Sequence, residues 1–317
     1  MQDDRRATLR SCFIPVLIYA PAILALARGY YRELGLEVEL ERLEAGTDLV
    51  PGTLSGHFDV TVGGAGAELF SALAAGHDLR LLAPFHFEHP PATTPLMVRS
   101  DLYASGAVRT VEDLRGRIVA APSRSAPLFW LQAALESGGL TVRDVDLRFV
   151  GYHDVAPAFE ASAVDAALIG EPIVTELIER GIAVRLTDDF VDGLQPTYLF
   201  CLRSTLNERR DAVVRFVAAM LRTYADLESD DPKRNWDATD TSEVVAAVTN
   251  VPSNRVPPAM RPHYDPLGRF QPESIQRLYR FFVDYNYVDP IPGFSPDALF
   301  ESDVVTEALA LLPKDGS

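Results

Sequence analysis

Residues 20–40 read APAILALARGYYRELGLEVEL, and the reading of this stretch decides the fold. The spacing of Ala22, Leu24, Ala25 and Leu26 gives a short helix. Gly29-Tyr30-Tyr31 then gives a break and one more turn, and Gly35 a stop. The alternation of Leu36, Val38 and Leu40 gives a strand with one buried face. Upstream, Leu9 to Leu17 is itself strand-like, so the chain opens β-α-β. The same residues also imitate a secretory leader, because Arg5-Arg6 precede an apolar run from Cys12 to Ala27 that ends Ala-Leu-Ala. One reading removes the run; the other makes it the founding unit of an α/β core.

Composition favours a folded chain with room for two lobes: 317 residues, 47% hydrophobic and 23% charged. Pro15 and Pro21 interrupt the longest apolar run, so it falls short of the roughly 18 apolar residues of a membrane span. A net charge of −16 without any Lys/Arg cluster argues against nucleic acid as a partner. Lys233 and Lys314 are the only lysines, which leaves few candidates for a Schiff base, and no cofactor is expected. Cys12 and Cys201 fit no metal spacing and lie in strand-like runs, as buried free thiols do.

Strand-like runs recur with helical patterns between them: Leu36–Leu43, Asp59–Val62, Leu79–Ala83, Leu96–Val98, Ile118–Ala121, Leu147–Val150, Ala166–Ile169, Val184–Leu186 and Leu199–Leu202. This alternation predicts an α/β protein with mainly parallel sheets flanked by helices. Two stretches read as crossings between lobes. In Glu88–Pro95, three prolines forbid helix, and Asp192–Thr197 (DGLQPT) is rich in turn residues. Cutting there gives one lobe from residues 1–93 and 197–317 and a second, inserted lobe from 94–196. From Leu206 onward the pattern is helical, over Glu208–Leu227, Ser242–Thr249, Pro272–Tyr285 and Pro296–Leu312, with Tyr264–Phe270 as a surface-packed loop.

In open α/β sheets ligands sit beyond the carboxyl ends of strands, where helix N-termini point their N–H groups. Four such junctions stand out. The first is Pro15 to Pro21, with Tyr19 within it. The second is Asp59 to Phe70, where Gly63-Gly64-Ala65-Gly66 leaves backbone amides bare. The third is Ala121 to Trp130, with Ser123, Arg124 and Ser125 ahead of a helix. The fourth is Ile169 to Thr175, with Glu171 before a proline. Each has a plainer reading: the glycines allow close packing, the serines cap a helix, Arg124 is solvated, and Glu171 complements a helix dipole. The GGAG run lacks the dinucleotide spacing, and no G-x-S-x-G is present.

Phe85, His86, Phe87, Phe129, Trp130, Tyr152 and Tyr198 give the expected cleft an aromatic character, although ordinary core packing accounts for part of that set. His86 and His89 lack a convergent third ligand, so no metal site is expected. His57 and His77 sit beside glycines at loop ends and read as surface residues.

The pattern Ala-x-x-Leu-Ala-x-x-x-Gly-Tyr-Tyr-x-x-x-Gly-Leu-x-Val-x-Leu resembles the start of bacterial substrate-binding proteins related to thiamin-pyrimidine synthase, whose relatives include sulfonate, taurine, nitrate and riboflavin-type uptake binders. Leu54-Ser55-Gly56-His57-Phe58-Asp59-Val60, Ala72-Leu73-Ala74-Ala75-Gly76, Val111–Ala120 and Asp165-Ala166-Ala167 follow in the same order, so the resemblance spans about residues 8–230. It implies a two-lobed clamshell of the type 2 periplasmic-binding-protein fold that closes on a small molecule. The pocket would draw on Pro15, Tyr19, Gly64, Ala65, Gly66, His86, Ser123, Arg124, Ser125, Glu171 and Tyr198.

It also implies that the apolar run is the first strand and helix rather than a leader. The chain as given is then expected in the cytoplasm, and outside it only if an export segment is missing. The implied function is binding of a small aromatic, heterocyclic or anionic organic molecule as the solute-binding component of an ABC-type uptake system, with a permease as partner. The alternative is a cytoplasmic enzyme on the same fold: pyrimidine-synthase-, desulfinase-, decarboxylase- or dehydratase-like, with His86 and Glu171 as acid–base partners. The synthase's cysteine run and first-half lysine are absent here, and Cys12 falls too early for the desulfinase nucleophile.

Overall fold

The computed structural model describes residues 6–44 and 46–313. Strand β1 (Ala7–Phe13) pairs in parallel with β2 (Leu36–Arg42), and Leu9 faces Val38 in the register. Between them run α1 (Ala20–Ala27) and α2 (Tyr30–Glu33). Gly29 and Gly35 adopt φ of +76° and +75°, a left-handed region costly for residues with a Cβ, which is why glycines bound the second turn. The expected strand to Leu17 ends at Phe13, short of Pro15; a 3₁₀ turn over Leu17–Tyr19 takes its place.

The chain continues with α3 (Leu49–Leu54), β3 (Thr61–Gly64), α4 (Ala67–Ala74) and β4 (Leu79–Pro84). It then crosses to a five-stranded sheet. That sheet contains β5 (Leu96–Arg99), β6 (Ile118–Ala121), β7 (Asp146–Phe149), β8 (Ala166–Leu168) and β9 (Ala183–Thr187), in the order β7-β6-β8-β5-β9. Helices α5 (Ser100–Ser105), α6 (Ala126–Glu136), α7 (Val155–Glu160) and α8 (Ile173–Glu179) connect its strands. The chain returns through β10 (Thr197–Leu202), which lies between β3 and β4.

The sheets are mixed rather than mainly parallel. β6 runs parallel to β7 and β8, but β5 is antiparallel to β8 and β9, and β10 to β3 and β4. The antiparallel members are the strands that follow each crossing, where the chain enters a sheet from the opposite end. The two crossing segments meet at one antiparallel bridge, Glu88 with Leu194.

Behind the first lobe lies α9 (Arg203–Leu227), kinked by non-helical backbone at Arg209. It buries Phe216, which stacks on Tyr31 at 5.1 Å. The tail adds α10 (Thr239–Thr249), α11 (Pro272–Asp284) and α12 (Ser302–Ala310). Helix α11 leaves its own lobe to pack on α6: Phe281 meets Phe129 edge-on at 5.6 Å, and Arg143 donates to the Asp284 carbonyl at 3.1 Å. The Tyr264–Phe270 loop is not confined to the surface, since Tyr264 is buried and its hydroxyl donates to the Ile18 carbonyl at 3.0 Å. Among the described residues no helix is long and apolar enough to cross a membrane.

Candidate functional site

Strand ends from both lobes converge on a small cavity. Ile14, Ile18, Tyr19 and Gly64 line it from one lobe, and Ser123, Ser125, Trp130 and Tyr152 from the other; Thr197 closes it at the start of β10. None of its described lining residues carries a charge. Its volume is about 20 Å³, room for one water, so an organic molecule enters only when the lobes part.

Ser125 is the N-cap of α6, but its side chain makes no cap bond; its hydroxyl instead lies 3.0 Å from that of Ser123. The start of α6 therefore faces the cavity without a side-chain cap, opposite Gly64, where a Cβ would stand 3.4 Å from the Ala126 nitrogen. Tyr19 is held edge-on to Phe85 at 5.4 Å. Burial pushes its phenol well above the ordinary value, so it stays a neutral donor and acceptor. Burial and the charge of Glu88 act the same way on Tyr152.

A fully buried hydrogen-bonded chain runs outward from the cavity. Thr197 Oγ1 lies 2.5 Å from His86 Nδ1, and His86 Nε2 lies 3.3 Å from Glu88 Oε1. Glu88 also accepts from the Thr93 N–H at 3.0 Å and its hydroxyl at 2.6 Å. Trp130 sits edge-on to the His86 ring at 5.8 Å.

Main-chain groups contribute two bonds to the closed arrangement. Leu17 N–H donates to the Glu171 carbonyl at 2.9 Å, and Ala67 N–H to the Arg124 carbonyl at 3.2 Å. Gly66 makes the second contact possible, because a Cβ there would stand 2.2 Å from Ser125 Cα. At the rim His153 approaches Glu44 at 2.7 Å and Arg42 at 3.0 Å.

Of the residues singled out from sequence, Tyr19, Gly64, Ser123 and Ser125 line the cavity. Ala65 and Gly66 flank it: Ala65 N–H donates to the Pro196 carbonyl, and Gly66 carries the lobe contact. His86 stands one layer behind, through Thr197. Arg124 is exposed, its guanidinium 5.2 Å over Phe149. Pro15 is buried outside the lining.

Tyr198 belongs to the core, donating to the Gln195 carbonyl at 2.8 Å and stacking near Phe270. Glu171 accepts from Thr175 N–H and from Arg185, both at 3.0 Å; burial still raises its carboxyl above the ordinary range. His86 and Glu171 thus have separate hydrogen-bond partners.

Cys12 is fully buried in β1 and burial pushes its thiol up to about 12, which keeps it from acting as a nucleophile. Gly46, Leu49 and Thr197 were not foreseen, and Trp130 and Tyr152 only as aromatics near the cleft. Gly46 and Leu49 follow β2 and Tyr152 follows β7, so the same strand-end rule, applied to every strand, finds them.

Comparison with known proteins finds relatives by sequence and by fold. The chain is 27% identical over 230 residues to the riboflavin-binding protein RibY of Chloroflexus aurantiacus. That match covers 70% of this chain and 62% of RibY; a second curated relative is matched over 45% of its length, so the chain spans less than two thirds of each. The fold is shared with the alkanesulfonate-binding protein SsuA from Xanthomonas axonopodis pv. citri bound to MOPS. There the TM-score is 0.75 at 20% identity, over 92% of this chain and 97% of that one.

The desulfurization enzyme DSZB has the same fold, with a TM-score of 0.66 at 20% identity over 96% of this chain and 99% of that one. A family model described as NMT1/THI5 like matches residues 18–234. That stretch contains α1, α2 and β2 of the founding unit, the glycine run, both crossings and most of the cavity wall, and the chain belongs to the NMT1/THI5-like family.

Proposed function

We propose that the protein binds one small organic molecule between its lobes and serves as the solute-binding component of an ABC-type uptake system, delivering its ligand to a permease. The observation that carries this reading is the cavity itself. It is built from strand ends of both lobes, lined by aromatic rings and hydroxyls, and closed by backbone bonds that form only when the lobes meet. Residues 1–93 with 197–317 would move against 94–196, a division supported by the membership of the strands in the sheets. RibY and SsuA support the ligand class, organic molecules small enough for an interlobe cleft.

The likeness to DSZB keeps catalysis on this fold in view. The buried thiols and the separate engagements of His86 and Glu171 favour binding over turnover. An uptake role requires the protein on the outer side of the cytoplasmic membrane, whereas a cytoplasmic pool would leave binding without transport; cell fractionation separates the two.

A thermal-shift screen with pyrimidines, flavins, aromatic acids and sulfonates tests the binding reading directly. Ligands that raise the melting temperature and are recovered unchanged support it. A screen in which nothing binds refutes it, and conversion of the bound molecule moves the assignment to an enzyme.

A further inference from the structure

Helix α11 is rooted on one side of the cleft and reaches onto the other. Its root is the second crossing, where fully buried Gln195 makes three hydrogen bonds to residues 269–274. The Gln195 N–H donates to Ser274 Oγ at 3.0 Å, and its side-chain amide donates to the Arg269 carbonyl at 2.7 Å. Its side-chain oxygen accepts from Gln271 N–H at 2.8 Å. Phe70 of α4, also fully buried, packs against Tyr279 at 5.5 Å, Phe282 at 6.0 Å and Phe294 at 5.9 Å. These contacts tie α11 to the crossing and to the lobe of α4, and it moves with them.

The other side of α11 meets the inserted lobe. Besides the edge contact of Phe281 with Phe129 and the Arg143 bond to the Asp284 carbonyl, two guanidinium groups lie over aromatic rings. Arg277 stands 5.7 Å from the Phe129 centroid and Arg143 4.5 Å from that of Tyr285. Phe129 and Phe281 are both buried, so parting α6 from α11 would expose two rings to water. A weaker grip comes earlier in the tail, where Arg255 pairs with Glu179 of α8 between exposed side chains.

Phe129, Arg143, Phe281 and Asp284 all lie outside the cavity lining, so these contacts act on the lobes whether or not the cleft is filled. They also fall on the element that carries the clasp. The N-cap of α6, Ser125, directly follows Arg124, whose carbonyl accepts the Ala67 N–H from the other lobe.

We propose that α11 is a strap from the C-terminal tail that draws α6, and with it the inserted lobe, toward closure, so that the ligand-free chain keeps a closed population. The proposal rests on the reading of the lobes as moving parts and adds to it a bias that belongs to the protein rather than to its ligand. Such a bias shortens the step that a ligand has to drive.

The test is single-molecule energy transfer in the ligand-free full chain, with dyes on Ser55→Cys in one lobe and Ala161→Cys in the other. Both positions are exposed, and the two native cysteines are buried and stay unlabelled. A high-transfer closed population is expected beside a low-transfer open one. Arg143→Ala is expected to lower the closed-to-open ratio about threefold, Phe281→Ala about tenfold, and the double variant about thirtyfold. Arg143 is exposed, so its variant reads the contact without disturbing a core; the melting temperature checks that the Phe281 variant folds.

A free chain with only an open population overturns the proposal, and so does a closed population that neither variant lowers. Either result leaves the binding reading to the thermal-shift screen, whose outcome turns on ligands and not on α11.

Discussion

Closure of the two lobes hinges on the absence of one side chain, and Gly66→Ala is the substitution that tests it. Gly66 has φ −123° and ψ −168°, extended backbone that alanine adopts freely, so the change brings no local strain. Its Cβ would stand 2.2 Å from Ser125 Cα and 2.7 Å from Ser125 Cβ, where ordinary contacts begin near 3.4 Å. The lobes must therefore part by about 1 Å at this point, the shortfall of 2.2 Å from 3.4 Å.

At that separation the 3.2 Å bond from Ala67 N–H to the Arg124 carbonyl is lost. One such bond contributes about 1 kcal/mol, and the packing around Ser125 a similar amount. Ligand affinity is expected to fall about thirtyfold, the equivalent of about 2 kcal/mol on the closing equilibrium. The unfolding midpoint of the free protein should hardly change, because the substitution brings no backbone strain. Calorimetry with a ligand from the screen gives the affinity, and small-angle scattering gives the compaction on binding. A Gly66→Ala protein that compacts and binds like wild type would show that the lobes do not close along this surface.

Other perturbations have readouts of their own. Removing Glu88 leaves His86 Nε2 and the Thr93 hydroxyl without that partner in a dry interior at the crossing, so Glu88→Ala is expected to cost about 3 kcal/mol of unfolding free energy in urea; a loss under about 1 kcal/mol would refute the account. Burial holds the Glu171 carboxyl above its unfolded value, so the native state takes up a proton more readily than the unfolded chain. Its contribution to stability is then greatest below the ordinary carboxylate range and is lost as pH rises through the raised value. Glu171→Gln should flatten that part of the pH–stability profile measured by urea midpoints, and an unchanged slope would contradict it. Cys12 and Cys201, both pushed up to about 12 by burial, should resist thiol reagents at pH near 8 until the chain unfolds. Rapid labelling of the native protein would place at least one of them at an accessible surface.

The founding unit was legible because its signals are local: apolar spacing, two glycines that need positive φ, and a strand with one buried face. The cavity was legible wherever a strand runs forward into a helix, which is how Tyr19, Gly64, Ser123 and Ser125 were found. Thr197 stands at the beginning of a strand. It reaches the site because β10 runs antiparallel, setting Thr197 beside Gly64 at the end of β3 and Tyr198 beside Pro84 at the end of β4. Strand direction within a sheet is a long-range property, and no local pattern in Thr197–Leu202 declares it. Glu171 was misleading for a related reason. Its position before a helix was read correctly, but Arg185, fourteen residues away in β9, claims the carboxylate. The excursion of α11 onto α6 was equally invisible, because an amphipathic helix says that it will be covered and not by which lobe.

Two of the bonds that join the lobes, Leu17 to Glu171 and Ala67 to Arg124, are made by peptide groups at both ends. Every residue except proline brings the same N–H and C=O, so closure makes almost no demand on side-chain identity at these positions. The clasp and the chemistry of the cavity are therefore separable. Substitutions at Tyr19, Trp130, Tyr152 or Thr197 can change what is held without altering how the shell shuts. A scaffold so divided can be assigned new cargo, in evolution or at the bench, by exchanging a few lining side chains while its moving parts stay as they are.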